Sequence, residues 1–288
     1  MGHYTRFRAY QLGGCGASFS LSVENHFTLI EARLTEVNAP HIVWEMNKLG
    51  IDHIDTLHIT SWDQDHCKSG ELENILKYLK PDRIEFPSYA PHTDNGKASL
   101  KLIQNYNGTK LAVSPIFVKL LTKEPLKGRD LYYNPKKNVD KSNDNSIVKF
   151  FRVGSFQVLS LGDCESADIS KALANDEILK SEVDILILAH HGADNGFTTT
   201  EFLKALQPKV AICAADYGNK YGHPDAAITA RLRNAGIDYY STKTGDIIAQ
   251  TVDAKNYKVS NYVANNEEKA SVKQYASKTW YIVDVPAQ

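Results

Sequence analysis

Three apolar runs in this 288-residue chain each end in side chains that hold metal ions. The first, Leu57-His58-Ile59-Thr60, alternates as a half-buried strand does. It leads into Ser61-Trp62-Asp63-Gln64-Asp65-His66. The second, Phe156 to Leu161, ends in Gly162-Asp163. The third, Ile185 to Ala189, is continuously apolar like a strand buried on both faces, and it ends in His190-His191-Gly192. One such ending is common by chance; three in one chain are not. Strand ends are where open α/β architectures collect ligands and chemistry. Asp-x-Asp-His alone puts two carboxylates and an imidazole in one small volume, a mixture that suits Zn2+, Mn2+ or Fe2+. The pattern points to an α/β fold with a hydrolytic metal site at its strand tips.

The other elements fit that frame. Gly13-Gly14-Cys15-Gly16 marks a turn, followed by strand-like runs at Phe19 to Val23 and Phe27 to Ile30. The glycines lack the spacings of phosphate-binding loops, so a hairpin turn is the reading. Ile42, Val43, Met46 and Leu49 fall at helical spacing with Gly50 as a stop. Gly70 opens a second helix through Leu72, Ile75, Leu76 and Leu79, closed by Pro81. Arg83 to Phe86 is a short strand, Leu100, Leu102 and Ile103 mark a helix, and Leu111 to Val118 a strand. Pro135 to Lys141 is a polar loop whose lysines read as solvated rather than phosphate-binding. Ile147 to Val153 and Phe156 to Leu161 flank Gly154-Ser155 as a hairpin. Thr198-x-x-Glu201 reads as a capping box for a helix that stops near Pro208. Val210 to Ala214 is a strand. Pro224 reads as the first position of a helix running to Gly236, with His223 as its N-cap. Tyr239 to Ser241 and Ile247 to Val252 are strands. Strand pairs first, then alternating strand and helix, predict two mixed sheets packed face to face with helices outside. Residues 1–252 form this domain. Residues 253–288 are a C-terminal extension expected to pack on it, with Thr279-Trp280-Tyr281-Ile282-Val283 open between a terminal strand and a docking segment.

Composition excludes little and locates more. Hydrophobic content of 42% and charged content of 23% are those of an ordinary soluble chain. The net charge of −1 provides no overall basic field for nucleic acid, although a local groove stays open. The four cysteines, Cys15, Cys67, Cys164 and Cys213, share no paired spacing, against a disulfide framework or zinc ribbon. Reduced thiols and a cytoplasmic setting follow as the expectation. No run of about 18 apolar residues occurs and the start has no apolar core of a leader, so no membrane is expected. Cys67 and Cys164, each following a site residue, read as core. His26, His41, His53, His58 and His92 stand alone and read as structural hydrogen-bonders.

Two more segments complete the set: Asn143-Asp144-Asn145-Ser146-Ile147, and Tyr221-Gly222-His223-Pro224. With Thr60-Ser61-Trp62-Asp63-Gln64-Asp65-His66, Leu161-Gly162-Asp163 and His190-His191-Gly192-Ala193, they resemble the metallo-β-lactamase superfamily. Within it they resemble the domain found in ComEC-type DNA-uptake proteins, over residues 19 to 252. That family reads Ser-His-x-Asp-x-Asp-His, Asn-x-x-Ser-hydrophobic, Thr-Gly-Asp, His-His-Gly-Ser and Tyr-Gly-His-Pro in the same order. The resemblance implies a four-layer αββα sandwich and hydrolysis of phosphodiester bonds, with nucleic acid or nucleotide as substrate. It further implies one or two divalent ions, Zn2+ or Mn2+.

Residue roles follow from the resemblance. The metal ligands are Asp63, Asp65, His66, Asp163 and one or both of His190 and His191. Asp163 would bridge two ions, with Asp63 serving the second. Asp65 and His223 are the candidates for the catalytic step. Ser61, Trp62, Asn145 and His223 are the candidates for substrate binding, and Trp62 is open between a core role and stacking on a base. Ser61 stands where the family has histidine, and Asn145 is a poor Zn2+ ligand, so that half of the site is carboxylate-rich. Three readings follow: a Mn2+-type phosphodiesterase or nuclease, a one-ion hydrolase acting on nucleic acid or a small phosphoester, or a binding protein on a degenerate hydrolase scaffold.

Overall fold

The computed structural model describes residues 4–113, 131–133, 141–152 and 154–279, and every count or absence below refers to those residues. The expected strand beyond Val113, the polar loop from Pro135 to Asp140, and Trp280 to Val283 lie outside them.

One sheet is built from β1 (Thr5–Ala9), β2 (Phe19–Val23), β3 (His26–Ile30), β4 (Thr56–His58), β5 (Arg83–Pro87), β6 (Thr109–Val113), β13 (Ile247–Asp253), β14 (Asn256–Val263) and β15 (Glu268–Ala276). Its order is β15-β14-β13-β1-β2-β3-β4-β5-β6. The other is built from β7 (Leu131–Tyr133), β8 (Val148–Phe151), β9 (Val158–Ser160), β10 (Ile185–Ile187), β11 (Val210–Cys213) and β12 (Asp238–Ser241), in the order β12-β11-β10-β9-β8-β7. Both are mixed: hairpin-linked strands pair antiparallel, and β3 to β6 and β9 to β12 pair parallel.

Alternating side chains sort into the layers. Phe7, Phe19 and Leu21 meet Phe156, Val158, Ile185 and Ile212 between the sheets. The outer face of the first sheet packs on α1 (Ala39–Leu49), α2 (Ser69–Asn74) and α3 (Asp94–Asn105) through Ile42, Met46, Leu57, Leu72 and Ile103. The outer face of the second packs on α4 (Ala167–Ala174), α5 (Glu177–Glu182), α6 (Thr200–Leu206) and α7 (Ala226–Asn234) through Leu159, Leu186, Leu173, Phe202 and Leu232. Each such fully buried side chain contributes about 1.5–3 kcal/mol. The result is the four-layer αββα sandwich of the metallo-β-lactamase fold. The extension beyond residue 252 supplies β14 and β15, which continue the larger sheet. No helix is long and apolar enough to cross a membrane.

Two helix starts differ from the sequence reading. The N-cap of α6 is Thr199, whose hydroxyl accepts from Phe202 N, rather than Thr198, which is buried. The start of α7 is at Ala226 with Asp225 as N-cap, so neither His223 nor Pro224 occupies its expected helical position. The reason is local: Asn219 brackets His223, its Oδ1 accepting from His223 N (2.8 Å) and its Nδ2 donating to His223 O (3.0 Å). These bonds hold His223 in the preceding loop.

Candidate metal centre

The parallel strands bring their tips to one place. Asp65 and His66 follow β4, Asp163 follows β9, and His191 follows β10. Their ligand-type atoms all lie within 4.8 Å of one another. Asp63 O accepts from both His66 N (2.9 Å) and Cys67 N (2.7 Å), and this tight turn presents Asp65 and His66 together. The loops from the two sheets touch at Gly162, where φ is +54° and a Cβ would stand 3.2 Å from Thr60 Cβ and 2.9 Å from Ser146 Cβ. Only glycine fits that combination of left-handed backbone and close approach. His190 and His191 are also left-handed, with φ of 45° and 53°, at a cost of about 1–2 kcal/mol each. His190 N donates to Gly162 O (3.0 Å), which pins the turn. Backbone strain of this kind is held where geometry matters to function.

The imidazole tautomers are set from behind. His191 Nδ1 donates to Ala214 O (2.9 Å), so in the neutral ring the lone pair is on Nε2, 3.2 Å from Asp65 Oδ2 and 3.9 Å from Asp163 Oδ1. His66 Nδ1 lies 3.0 Å from Glu31 Oε1, and Glu31 is fixed by Thr60 Oγ1 (2.6 Å) and Thr60 N (3.0 Å). His66 Nε2 then approaches Asp163 Oδ1 at 2.9 Å, yet neither buried atom has a hydrogen-bond partner among the described residues. With both imidazoles neutral, two nitrogen lone pairs and two carboxylates turn on one point and contain acceptors only. A divalent cation satisfies such a set, and the carbonyl and carboxylate behind the imidazoles are the orienting partners metal ligands use.

Without an ion, the same carboxylates favour protons on His66 and His191, in the place a cation would take. Burial opposes a charged imidazole at His66, but Asp163, Glu31 and Asp65 outweigh it and hold its pKa well above the usual histidine value. At Asp163 burial is likewise outweighed, by His66 and His191, and the carboxyl is held low. Asp65 is held low in the same way, against burial, by His66 and His191. The pocket therefore keeps its carboxylates ionised and draws positive charge to itself.

A cavity of about 490 Å3 opens beside this group, and Asp65 and His191 form part of its wall. The two consecutive histidines divide there. His191 joins the four-donor group, whereas His190 turns to Glu165, with Nδ1 2.8 Å from Oε1, and its ring lies 6.0 Å from that of His223. Glu165 is held by Asn143 Nδ2 at 2.8 Å. His223 lines the same cavity with Tyr221 stacked at 5.7 Å. Burial, reinforced by His190 and His191, holds the His223 pKa below the ordinary value in spite of Asp225.

The remaining candidates sit apart. Asp63 accepts from Ser61 Oγ (3.1 Å) and is outside the four-donor group. Ser61 and Trp62 are buried, with Trp62 Nε1 donating to Tyr89 O (2.9 Å). Asn145 Nδ2 donates to Lys141 O at 3.3 Å. None of Ser61, Trp62, Asp63 and Asn145 lines the cavity. Sequence reasoning passed over Glu31, although it ends the apolar run Phe27 to Ile30 as the other site residues end theirs. It also passed over Glu165 and Tyr89, which carry no local signal.

No protein-family model matches the chain. ComE operon protein 3 of Bacillus subtilis (strain 168) is 28% identical over 192 residues, covering 65% of this chain and 23% of that protein. Competence protein ComA of Neisseria gonorrhoeae is 22% identical over 229 residues, covering 80% of this chain and 30% of that protein. The chain thus spans about a quarter of the length of these curated relatives. Among solved structures, Tm1679, described as a metal-dependent hydrolase of the β-lactamase superfamily, superposes with a TM-score of 0.50 at 13% identity. The superposition covers 86% of this chain and all of that one, and it shows the shared fold. The chain has the metallo-β-lactamase fold and is similar in sequence to part of these two competence proteins.

Proposed function

We propose that the chain is a divalent-metal-dependent hydrolase of phosphodiester bonds. The observation that carries the reading is the convergence of Asp65, His66, Asp163 and His191 on one point beside a roomy cavity. A divalent cation held there supplies Lewis acidity toward a phosphoryl oxygen and lowers the pKa of water to the neutral range. Glu31 and Ala214 O hold the two imidazoles in the ligating tautomer. His223, neutral at pH 7 by its lowered pKa, presents a ring on the cavity side that can take and return a proton. His190, paired to Glu165, walls the cavity between them.

The cavity lining favours a small phosphoester, such as a nucleotide, over long nucleic acid. Asp65, Glu165, Asp194, Asp216 and Asp225 line it, with no Lys or Arg among the described lining residues. A polyanionic strand binds through cations on its phosphates, and that wall repels it. The test is hydrolysis of bis-p-nitrophenyl phosphate with Mn2+, Zn2+ or Mg2+, beside cleavage of single-stranded DNA. Turnover that needs metal and disappears in Asp163→Asn supports the proposal. Metal binding without turnover of any phosphodiester would leave a binding protein on a hydrolase scaffold.

A further inference from the structure

The family pattern leads one to expect a second ion on the far side of Asp163, held by Asp63 and by the residues at positions 61 and 145. The residues there do not fit one. Ser61 is fully buried, its hydroxyl donates to Asp63 Oδ2 (3.1 Å), and the same hydroxyl accepts from Asp63 N (3.2 Å). Asp63 is thereby closed onto its own turn. Tyr89, 7% exposed, sets its hydroxyl 3.4 Å from Ser61 Oγ and accepts from Trp62 N (3.3 Å). Asn145 directs its amide N–H into its own loop, at Lys141 O. The half-site holds no imidazole, and neutral hydroxyls are poor ligands for Zn2+.

We infer that this chain binds one divalent cation rather than two, and that the Tyr89–Ser61–Asp63 hydrogen-bonded group fills the place of the second. Tyr89 is then the residue that sets metal stoichiometry. An imidazole placed at position 61 meets the Tyr89 hydroxyl before it meets an ion. Restoring the missing histidine is therefore not enough; the hydroxyl must go as well.

The inference rests on the metal-binding reading above, and the experiment separates the two. Apoprotein is titrated calorimetrically with Zn2+ and with Mn2+, and dialysed samples are measured by elemental analysis. Wild type is expected to hold one equivalent, Ser61→His one, and Ser61→His/Tyr89→Phe two. Two equivalents in wild type overturn the inference and leave the metal reading standing. None in wild type overturns both. Two equivalents in Ser61→His alone, or one in the folded double variant, overturn the role given to Tyr89. If the double variant does not fold, the wild-type and Ser61→His stoichiometries still decide.

Discussion

Glu31 offers a quantitative check of how the site is held. Its carboxylate accepts from Thr60 Oγ1, from Thr60 N and, at 3.0 Å, faces His66 Nδ1. In Glu31→Ala the Thr60 N–H loses its acceptor inside the protein, while His66 Nδ1–H keeps only the Thr60 hydroxyl, 3.3 Å away. At about 1–3 kcal/mol for a stranded buried donor, the loss of stability comes to at least about 1–3 kcal/mol. Glu31→Gln is gentler, since it keeps the size and one acceptor oxygen but weakens the charge that orients His66. Losing such an orienting partner lowers metal affinity about 10–100-fold, or about 1.4–2.7 kcal/mol. Thermal melting of the apoproteins measures the first effect, and competition with a chromophoric chelator for Zn2+ measures the second. Glu31→Gln binding Zn2+ as tightly as wild type would refute the reasoning, because Glu31 would then have no part in presenting Nε2.

Other expectations concern the scaffold around the site. Glu85 is buried against Lys149 Nζ at 2.8 Å, so Lys149→Met should cost about 3–5 kcal/mol in urea unfolding. Burial alone would raise the Glu85 pKa, but Lys149 and His58 depress it below the ordinary 4.5. Its contribution is therefore complete above that value and lost as pH falls toward the depressed one; the acid limb of wild-type stability should be steeper than that of Lys149→Met. Gly192 has φ of +81° and a Cβ there would lie 2.7 Å from Pro224 Cβ; Gly192→Ala should lower stability by at least about 1–2 kcal/mol, measured by melting. Cys15 is exposed and lines the cavity, whereas Cys67, Cys164 and Cys213 are buried, with burial raising the thiols of Cys67 and Cys213 to about 12. A thiol reagent should label one equivalent in native protein, and a second fast equivalent would contradict that packing.

The site was legible in the sequence to the extent that strand tips are legible. Each of Asp65, His66, Asp163 and His191 stands just beyond an apolar run whose period marks a strand, so local pattern sufficed to name them. What local pattern cannot resolve is direction. His190 and His191 are adjacent letters, and only their consecutive left-handed backbones send one ring to the four-donor group and the other to Glu165. Tyr89 reaches Ser61 across 28 positions, a contact made by the pairing of β4 with β5 and invisible to spacing. The start of α6 slipped by one residue because two threonines precede it and only the fold decides which caps. His223 left its expected helix end because Asn219 brackets it from a loop.

The central claim is that four named side chains bind a divalent ion. Crystals grown with Mn2+ or Zn2+ and measured at the metal absorption edge test it directly. The account predicts an anomalous peak about 2.0–2.6 Å from ligand atoms of Asp65, His66, Asp163 and His191 together. A peak that excludes any of these four, or no peak at saturating metal, would contradict it.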